Sequence, residues 1–266
     1  MSMSIGCVGC GNMGGAILAG LAASSLDCTL YGHTRTAARM APLEAAGVTR
    51  LDSARELARK AHYVVMAVKP YQIEALLAEM APEFGPDTVV ISVAAGISIA
   101  RLQAAVAGRC PVVRCMPNTP ALVGKGVFAL CFDDKVPAES KEDILRFFSQ
   151  LGVCLELPES RFTAFSALIG AGPAYVFGMM QGLVQAGVTL GLGRKDCRDM
   201  VAALFEGSAV MAARSDTPLM ELRDQVCSPG GLTIAGVNVL DRAGLSGLLV
   251  DAVLAADERG REMEKE

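Results

Sequence analysis

Residues 4–14 are Ser-Ile-Gly-Cys-Val-Gly-Cys-Gly-Asn-Met-Gly, a short apolar run that leads into the pattern G-x-G-x-x-G. The apolar run predicts a β-strand, and residues 13–23 predict the helix that follows it. In this context the pattern is typical of a dinucleotide site: Gly9 permits the turn, Gly11 lets the pyrophosphate approach, and Gly14 allows close helix packing. The alternative is a glycine-rich turn without a ligand. The predicted cofactor-binding residues of this loop are Gly9, Cys10, Gly11, Asn12, Met13 and Gly14.

Outward from this stretch, apolar runs bounded by turn residues alternate with helical patterns as far as residue 157. Such runs are typical of strands buried on both faces of a parallel sheet. The predicted strands are 28–31, a short one near 48, 63–68, 88–94, 111–115, 127–132 and 153–157, and the predicted helices include 36–46, 53–61 and 138–151.

Beyond residue 159 the pattern becomes wholly helical, with helices expected at 163–190, 195–214, 218–226, 229–243 and 246–264. Pro218 and Pro229 each follow a hydroxyl residue, which predicts capped helices with proline at the first position. The predicted fold class is α/β: an N-terminal Rossmann-type doubly wound sheet followed by an all-helical C-terminal dimerisation domain. The predicted domains are 1–159, which binds the dinucleotide, and 160–266, which dimerises and binds substrate.

Composition excludes several classes of protein. The chain has 266 residues, 52% of them hydrophobic and 20% charged, which excludes a disordered protein. The net charge of −4 argues against nucleic acid as the main partner. Nine cysteines occur singly, so reduced thiols in the cytoplasm are expected rather than disulfides. Cys7 and Cys10 form a C-x-x-C pair, but no second pair stands at zinc spacing, and we predict no metal site.

Two uncharged stretches imitate membrane signals. Residues 1–26 lack the basic region of a signal peptide, because the first Lys or Arg is Arg35. Residues 162–193 are long enough to span a bilayer, but they contain Pro173 and seven glycines. We predict that this helix is buried against a second copy of the chain and that the protein has no membrane partner.

The segment after the second strand indicates which nicotinamide cofactor is bound. An NAD site usually has a carboxylate there for the ribose 2′-hydroxyl, but none occurs between Asp27 and Glu44. Arg35 is predicted to pair with a 2′-phosphate instead, assisted by neighbouring polar residues: His33, Thr34, Thr36 or Arg39. NADPH is therefore predicted, with NADH as the alternative cofactor. A solvated loop arginine is the other interpretation of Arg35.

Further site candidates follow the predicted strands, because ligands of open α/β sheets bind beyond the carboxyl ends of the strands. Small residues there leave room for the nicotinamide. Lys69 is equally well interpreted as a cofactor contact or as a solvated charge at the end of a strand. Asn118 lies between two prolines that stiffen its loop, and its amide can both donate and accept hydrogen bonds. The candidates for cofactor contact are Val68, Lys69, Pro70, Ala94, Ala95 and Gly96.

A second candidate site lies in the helical half, at residues 227–233, Cys-Ser-Pro-Gly-Gly-Leu-Thr. Glycines at a helix start expose several backbone N–H groups, which can bind a carboxylate. Thr233 is expected one turn into the helix, with its hydroxyl near the anion. An ordinary capped helix is the alternative.

The sequence offers few catalytic bases, since it contains two histidines, neither near a predicted strand end that faces the nicotinamide. An alcohol dehydrogenase requires a base for the hydroxyl proton. Reduction of an already protonated C=N bond does not, so the composition of the site favours imine reduction.

Taken in order, five motifs resemble those of the Δ1-pyrroline-5-carboxylate reductase family along essentially the whole chain: residues 9–14, 68–70, 116–120 (Met-Pro-Asn-Thr-Pro), 172–175 (Gly-Pro-Ala-Tyr) and 228–231 (Ser-Pro-Gly-Gly). The resemblance implies NAD(P)H-dependent reduction of 1-pyrroline-5-carboxylate to L-proline, the last step of proline biosynthesis. It also implies a homodimer, and family dimers commonly assemble into decamers.

The resemblance further implies which residues hold the substrate. Its carboxylate maps to the backbone of 228–232, and the hydroxyl that faces the imine nitrogen maps to Thr233, the predicted catalytic residue. The chain departs from the family pattern where Ile169 and Ala171 replace serines and where Leu232 replaces threonine. The predicted substrate-binding residues are Asn118, Ser228, Gly230, Gly231, Leu232 and Thr233.

Two other functions are the alternatives: a 3-hydroxy acid dehydrogenase, and a nucleotide-sensing module that is not an enzyme. The dehydrogenase needs a lysine on the long helix, and residues 162–193 have none.

Overall fold

The strand predicted at the start of the chain lies inside an eight-stranded sheet in the computed structural model, which describes residues 3–263. The strand order is β3-β2-β1-β4-β5-β6-β7-β8, and neighbouring strands are parallel except for β6 and β7. Strands β2 and β3 are added on one side of β1, and β4 and the later strands are added on the other side. This switch in strand order creates a crevice at the carboxyl ends of β1 and β4. The strands are β1 (Met3–Val8), β2 (Cys28–His33), β3 (Thr49–Arg50), β4 (Tyr63–Met66), β5 (Val89–Ser92), β6 (Val112–Met116), β7 (Gly126–Phe132) and β8 (Gly152–Glu156).

Helices cover both faces of this sheet, which confirms the doubly wound fold class. One apolar cluster contains Leu18 of α1 and Phe147 of α6, and the other contains Leu57 of α3 and Leu77 of α4. Strand residues alternate between the two clusters, so the strands are buried on both faces as their apolar runs predicted. The helices are α1 (Asn12–Ala22), α2 (Ala41–Ala45), α3 (Ala54–Lys60), α4 (Pro70–Met80), α5 (Ile99–Ala105) and α6 (Ala138–Ser149).

Local signals account for some of these boundaries. Ser53 caps α3, since its Oγ accepts the N–H of Glu56 at 3.1 Å. The helix predicted over 36–46 is instead a 3₁₀ turn, Ala37–Arg39, followed by α2. Pro42 lacks the N–H that would bond to the carbonyl of residue 38, so one α-helix cannot run through it. Helices α4 and α5 were not predicted, although Pro70 at the first position of α4 is a usual start signal.

The remainder of the chain is helical, as predicted, but its helices begin at other residues. The predicted helix 163–190 is interrupted by a π-helical turn, Ser166–Gly170. The prolines at 218 and 229 do not occupy first helical positions: Pro218 is the N-cap of its helix, and Pro229 lies in a turn before the next one. These helices are α7 (Phe162–Phe165), α8 (Gly172–Thr189), α9 (Arg194–Ala213), α10 (Leu219–Gln225), α11 (Leu232–Arg242) and α12 (Leu245–Met263).

By their contacts, the described residues form two compact units, unit 1 (3–170 with 257–263) and unit 2 (171–256). This division lies eleven residues after the boundary predicted at residue 159. Phe162 and Phe165 pack against Ala129 of β7, and these contacts keep the first helical turns in unit 1. The division of function at residue 159 stays a prediction.

Unit 2 has a very small core of its own. Its buried apolar side chains are those of Val184, Cys197 and Val201. The helical stretch Glu159–Thr189 is long and apolar enough to cross a membrane: its most apolar 18-residue window has a mean hydropathy of 1.4, and 11% of that window is buried within the chain. The apolar surface of these helices is therefore left uncovered by the single chain.

Candidate functional site

A cleft of about 1220 Å³ opens at the carboxyl ends of the strands on either side of the switch between β1 and β4. This is where open α/β sheets bind ligands. It brings together ten of the predicted cofactor-binding residues: Gly9, Gly11, Asn12, Met13, Arg35, Val68, Lys69, Pro70, Ala94 and Ala95. Cys10, Gly14 and Gly96 do not line it.

The three glycines of the loop have the geometry that a dinucleotide requires. Gly9 has a φ of +96°, and a Cβ there would lie 2.7 Å from the carbonyl oxygen of Ala67. A Cβ on Gly14 would collide with the carbonyl oxygen of Gly9. Gly11 is the N-cap of α1 and supplies no side-chain cap, so the first N–H groups of this helix, beside the cleft residues Asn12 and Met13, lack partners within the helix. The loop therefore fits a pyrophosphate.

Cys10 is buried beneath this loop rather than exposed to the cleft. Its thiol donates to the carbonyl oxygens of His33 at 3.6 Å and of Cys7 at 3.7 Å, which ties the turn to β2. The hydrogen bond between the two thiols raises the pKa of Cys7 and lowers the pKa of Cys10. No group of three or more metal-binding side chains occurs within residues 3–263.

The cleft carries an excess of positive charge. Arg35, Arg39 and Lys69 line it, and none of the ion pairs described for this chain involves these three residues. Of the two acidic residues in the lining, Glu79 is neutralised by Arg55 at 3.4 Å. Such a cleft fits a cofactor that carries a pyrophosphate and a further phosphate.

Asp52 is a cleft residue that sequence reasoning missed. It follows β3, the second strand along from β1, and lines the cleft with Ser53 and Ala54. The strand has only two residues, so its carboxyl end was hard to recognise as part of the site. Tyr71 and Gln72 of α4 were missed for a similar reason, because the helix that carries them was not predicted.

The loop after β5 was predicted to contact the nicotinamide. Ala94 and Ala95 line the cleft, whereas Gly96, with a φ of +75°, lines a separate polar cavity of about 410 Å³. That cavity is also lined by Arg114 and Glu159 of unit 1. Contact of Ala94–Gly96 with the nicotinamide stays a prediction.

Asn118 does not line the cleft. Its side chain is buried, its Oδ1 accepts the N–H of Val127 at 2.9 Å, and its Nδ2 donates to the carbonyl of Ile169 at 3.3 Å. These bonds fasten the loop after β6 to β7 and to the π-helical turn. A structural role is thus visible, and its predicted contact with substrate is untested.

The second candidate site lies wholly in unit 2. Residues 228–231 form a turn in which the N–H of Gly231 donates to the carbonyl of Ser228 at 3.0 Å. Gly230 has a φ of +69°, and Gly231 is an N-cap without a side chain. The first backbone N–H groups of α11 consequently lack partners within the helix, an arrangement suited to an anion.

Thr233 is the second residue of α11 and not one turn into it as expected, because the helix begins three residues later than Pro229. Its hydroxyl thus belongs to the same first turn as the unpaired N–H groups. Leu232 beside it is 95% exposed, so only its backbone is suited to hold a polar group.

Two family models match the chain. Residues 159–263 match the model described as pyrroline-5-carboxylate reductase dimerisation. Residues 4–96 match the model described as NADP oxidoreductase, coenzyme F420-dependent.

Whole proteins match over nearly the full chain. The pyrroline-5-carboxylate reductase of Corynebacterium melassecola is 35% identical over 98% of this chain and 99% of its own length. That of Escherichia coli strain K12 is 33% identical over 100% of both chains. Among solved structures, the Coxiella burnetii pyrroline-5-carboxylate reductase has a TM-score of 0.91 at 30% identity and covers 99% of both chains. The Plasmodium falciparum pyrroline carboxylate reductase, solved with NADP bound, has a TM-score of 0.86 at 31% identity and covers 98% of both chains.

Proposed function

Because this chain belongs to the pyrroline-5-carboxylate reductase family, we propose which of its residues bind the cofactor, which bind the substrate and which orient the C=N bond for reduction. The enzyme reduces 1-pyrroline-5-carboxylate to L-proline with NADPH, the last step of proline biosynthesis. NADPH supplies the hydride. The protonated C=N bond accepts it at carbon, and the electron pair of the C=N π bond moves to nitrogen and removes its positive charge.

The cleft of unit 1 holds the cofactor. The N–H groups around Gly11 bind the pyrophosphate, Arg35 pairs with the 2′-phosphate, and small residues after β4 and β5 leave room for the nicotinamide. The observation that carries this assignment is the excess of unpaired positive charge in a cleft that also contains the glycine loop. The alternative interpretation of Arg35 as a solvated arginine is disfavoured by its place in the cleft lining.

The turn 228–231 and the start of α11 hold the substrate carboxylate. The unpaired N–H groups there are rigid donors that need no rearrangement, and the helix dipole adds favourable charge. Thr233, in the same helical turn, hydrogen-bonds to the ring nitrogen of the bound substrate and orients the C=N bond. Because the nitrogen loses its charge during hydride transfer, a neutral hydroxyl is a suitable partner.

The active form is a homodimer that assembles further, with decamers as the expected larger state. Unit 2 carries the dimerisation domain and leaves large apolar side chains exposed in the single chain, among them Phe177 at 65% and Met211 at 64%. Obligate dimers bury large apolar interfaces of this kind. We place the enzyme in the cytoplasm, with the stretch 159–189 covered by a second copy and not by lipid.

The decisive experiment is an assay of NADPH oxidation in the presence of 1-pyrroline-5-carboxylate. The wild-type protein oxidises NADPH only when the imine is present and releases proline in equal amount. A 3-hydroxy acid offered with NADP⁺ serves as the substrate of the alternative dehydrogenase and gives no turnover. Turnover with the hydroxy acid, or cofactor binding without any imine reduction, would refute the assignment in favour of the dehydrogenase or the sensor.

A further inference from the structure

Arg39 lies over the glycine loop, apart from the predicted 2′-phosphate contact. It lines the cleft, and a Cβ built on Gly11 would lie 3.0 Å from Nη1 of Arg39. The guanidinium therefore reaches the N-terminus of α1, where the loop presents its unpaired N–H groups. A pyrophosphate bound to this type of loop sits against the same glycine.

The position of Arg39 is fixed by its neighbour. Met40 is fully buried, and a Cβ on Gly32 would lie 2.7 Å from its Cε and 3.3 Å from Sγ of Cys10. Met40 thus fastens the 3₁₀ turn Ala37–Arg39 to the underside of the glycine loop. The backbone N–H of Arg39 also donates to the carbonyl of Thr36 at 3.0 Å. These contacts hold the backbone of Arg39 beside the loop, within reach of Gly11 for its side chain.

The charge of Arg39 is available to a ligand, because no ion pair described for residues 3–263 involves it. The helix N-terminus supplies only about half a positive charge, whereas a pyrophosphate carries two negative charges. The first turn of α1 contains no acidic or basic side chain. A guanidinium beside it adds a full charge and two parallel N–H donors.

We propose that Arg39 binds the pyrophosphate, which NADPH and NADH share, and that Arg35 alone distinguishes the two cofactors through the 2′-phosphate. This assignment rests on the proposed function of the cleft. It also replaces the expectation that Arg39 assists at the 2′-phosphate. The two arginines stand four positions apart on either side of Thr36, yet they would affect binding in different ways.

The test measures dissociation constants by titration calorimetry for NADPH, NADH and adenosine 2′-monophosphate, a probe with the 2′-phosphate but no pyrophosphate. Arg39→Gln should raise the dissociation constants for NADPH and NADH by the same factor, about tenfold for the loss of a charge-assisted bond. Its dissociation constant for the monophosphate should stay within about twofold of the wild-type value. Arg35→Gln should raise the dissociation constants for NADPH and the monophosphate and leave that for NADH nearly unchanged.

Arg109→Gln is the matched control, since Arg109 is an exposed arginine between α5 and β6 that does not line the cleft. It should change none of the three constants. The proposal is overturned if Arg39→Gln weakens NADPH much more than NADH, if it weakens the monophosphate, or if it changes neither cofactor. Failure of the wild-type protein to bind either cofactor would refute the proposed function itself.

Discussion

Oε1 of Glu159 lies 3.0 Å from Nη1 of Arg114 and also accepts the backbone N–H of Ile99 at 2.8 Å. One carboxylate oxygen thus joins β6, the first residue of α5 and the segment that follows β8. Arg114 is buried, with its guanidinium 4.7 Å from the ring centre of Phe162. Glu159 therefore anchors the 3₁₀ turn Glu159–Arg161 to β6 and to the start of α5.

Glu159→Gln should destabilise the protein, because it removes the negative charge beside a buried guanidinium. We expect a loss of about 2 kcal/mol in the free energy of unfolding, measured by urea denaturation. Glu156→Gln is the control: its carboxylate pairs with Lys141 at 2.6 Å on the surface, and its loss should cost less than about 1 kcal/mol. Equal losses in the two variants would contradict the anchoring role.

Arg35→Ala should raise the KM for NADPH by at least roughly tenfold, since a charge-assisted bond to the 2′-phosphate is lost. The KM for NADH should change little, because NADH has no 2′-phosphate. Steady-state kinetics with both cofactors measures this split. Equal effects on NADPH and NADH would show that Arg35 does not recognise the phosphate.

Thr233→Val keeps the shape of the side chain and removes its hydroxyl. We expect kcat/KM for the imine to fall by at least roughly tenfold, while the dissociation constant for NADPH stays unchanged. Thr29→Val is the control, since Thr29 is an exposed residue of β2 that does not line the cleft, and this variant should keep wild-type kinetics. Wild-type kcat/KM in Thr233→Val, or a parallel loss of NADPH binding, would rule out the catalytic assignment.

Phe177→Glu should break the dimer, because it would bury a carboxylate in the apolar face of α8. Light scattering at low micromolar concentration should show only dimers or larger assemblies for wild type and a monomer fraction for the variant. Val153→Glu, on the exposed edge strand β8 of unit 1, should leave the dimer intact. A well-folded wild-type monomer, or insertion of the chain into vesicles, would contradict the interface.

Tyr63→Phe should change how stability depends on alkaline pH. Burial and the hydrogen bond to Asp143, with 2.7 Å between the oxygens, raise the pKa of Tyr63 above its usual value of about 10. A raised folded-state pKa contributes stability that is fully present below about pH 10 and is lost as the pH rises further.

Urea denaturation at several pH values between about 8 and 11 measures this effect. The wild-type free energy of unfolding should fall more steeply above pH 10 than that of Tyr63→Phe, by up to about 1.4 kcal/mol per pH unit. Buried cysteines titrate alike in both proteins and cancel in the difference. Tyr71→Phe, which changes an exposed tyrosine, should show the same pH dependence of the free energy of unfolding as wild type. The same pH dependence for Tyr63→Phe and wild type would disprove the contribution of Tyr63 to stability.

The sequence by itself determined the doubly wound sheet, the glycine loop and the helical second half. Local signals sufficed for these features, because apolar runs, capping residues and glycine spacing act within a few residues of one another. Ser53 illustrates this, since cap and capped N–H are three residues apart. The predicted start of α11 failed because Gly230 takes a positive φ and closes a turn before the helix begins.

Only the tertiary structure decided which side chains line the cleft together and which connect distant segments of the chain. The amide of Asn118 bonds to the backbone of Val127 and of Ile169, and the latter is 51 positions away. Its contact with substrate stays a prediction. Arg39 reaches Gly11 because Met40 packs beneath the loop from a different part of the chain. Such pairings depend on long-range packing of strands and helices, and spacing along the sequence does not encode them.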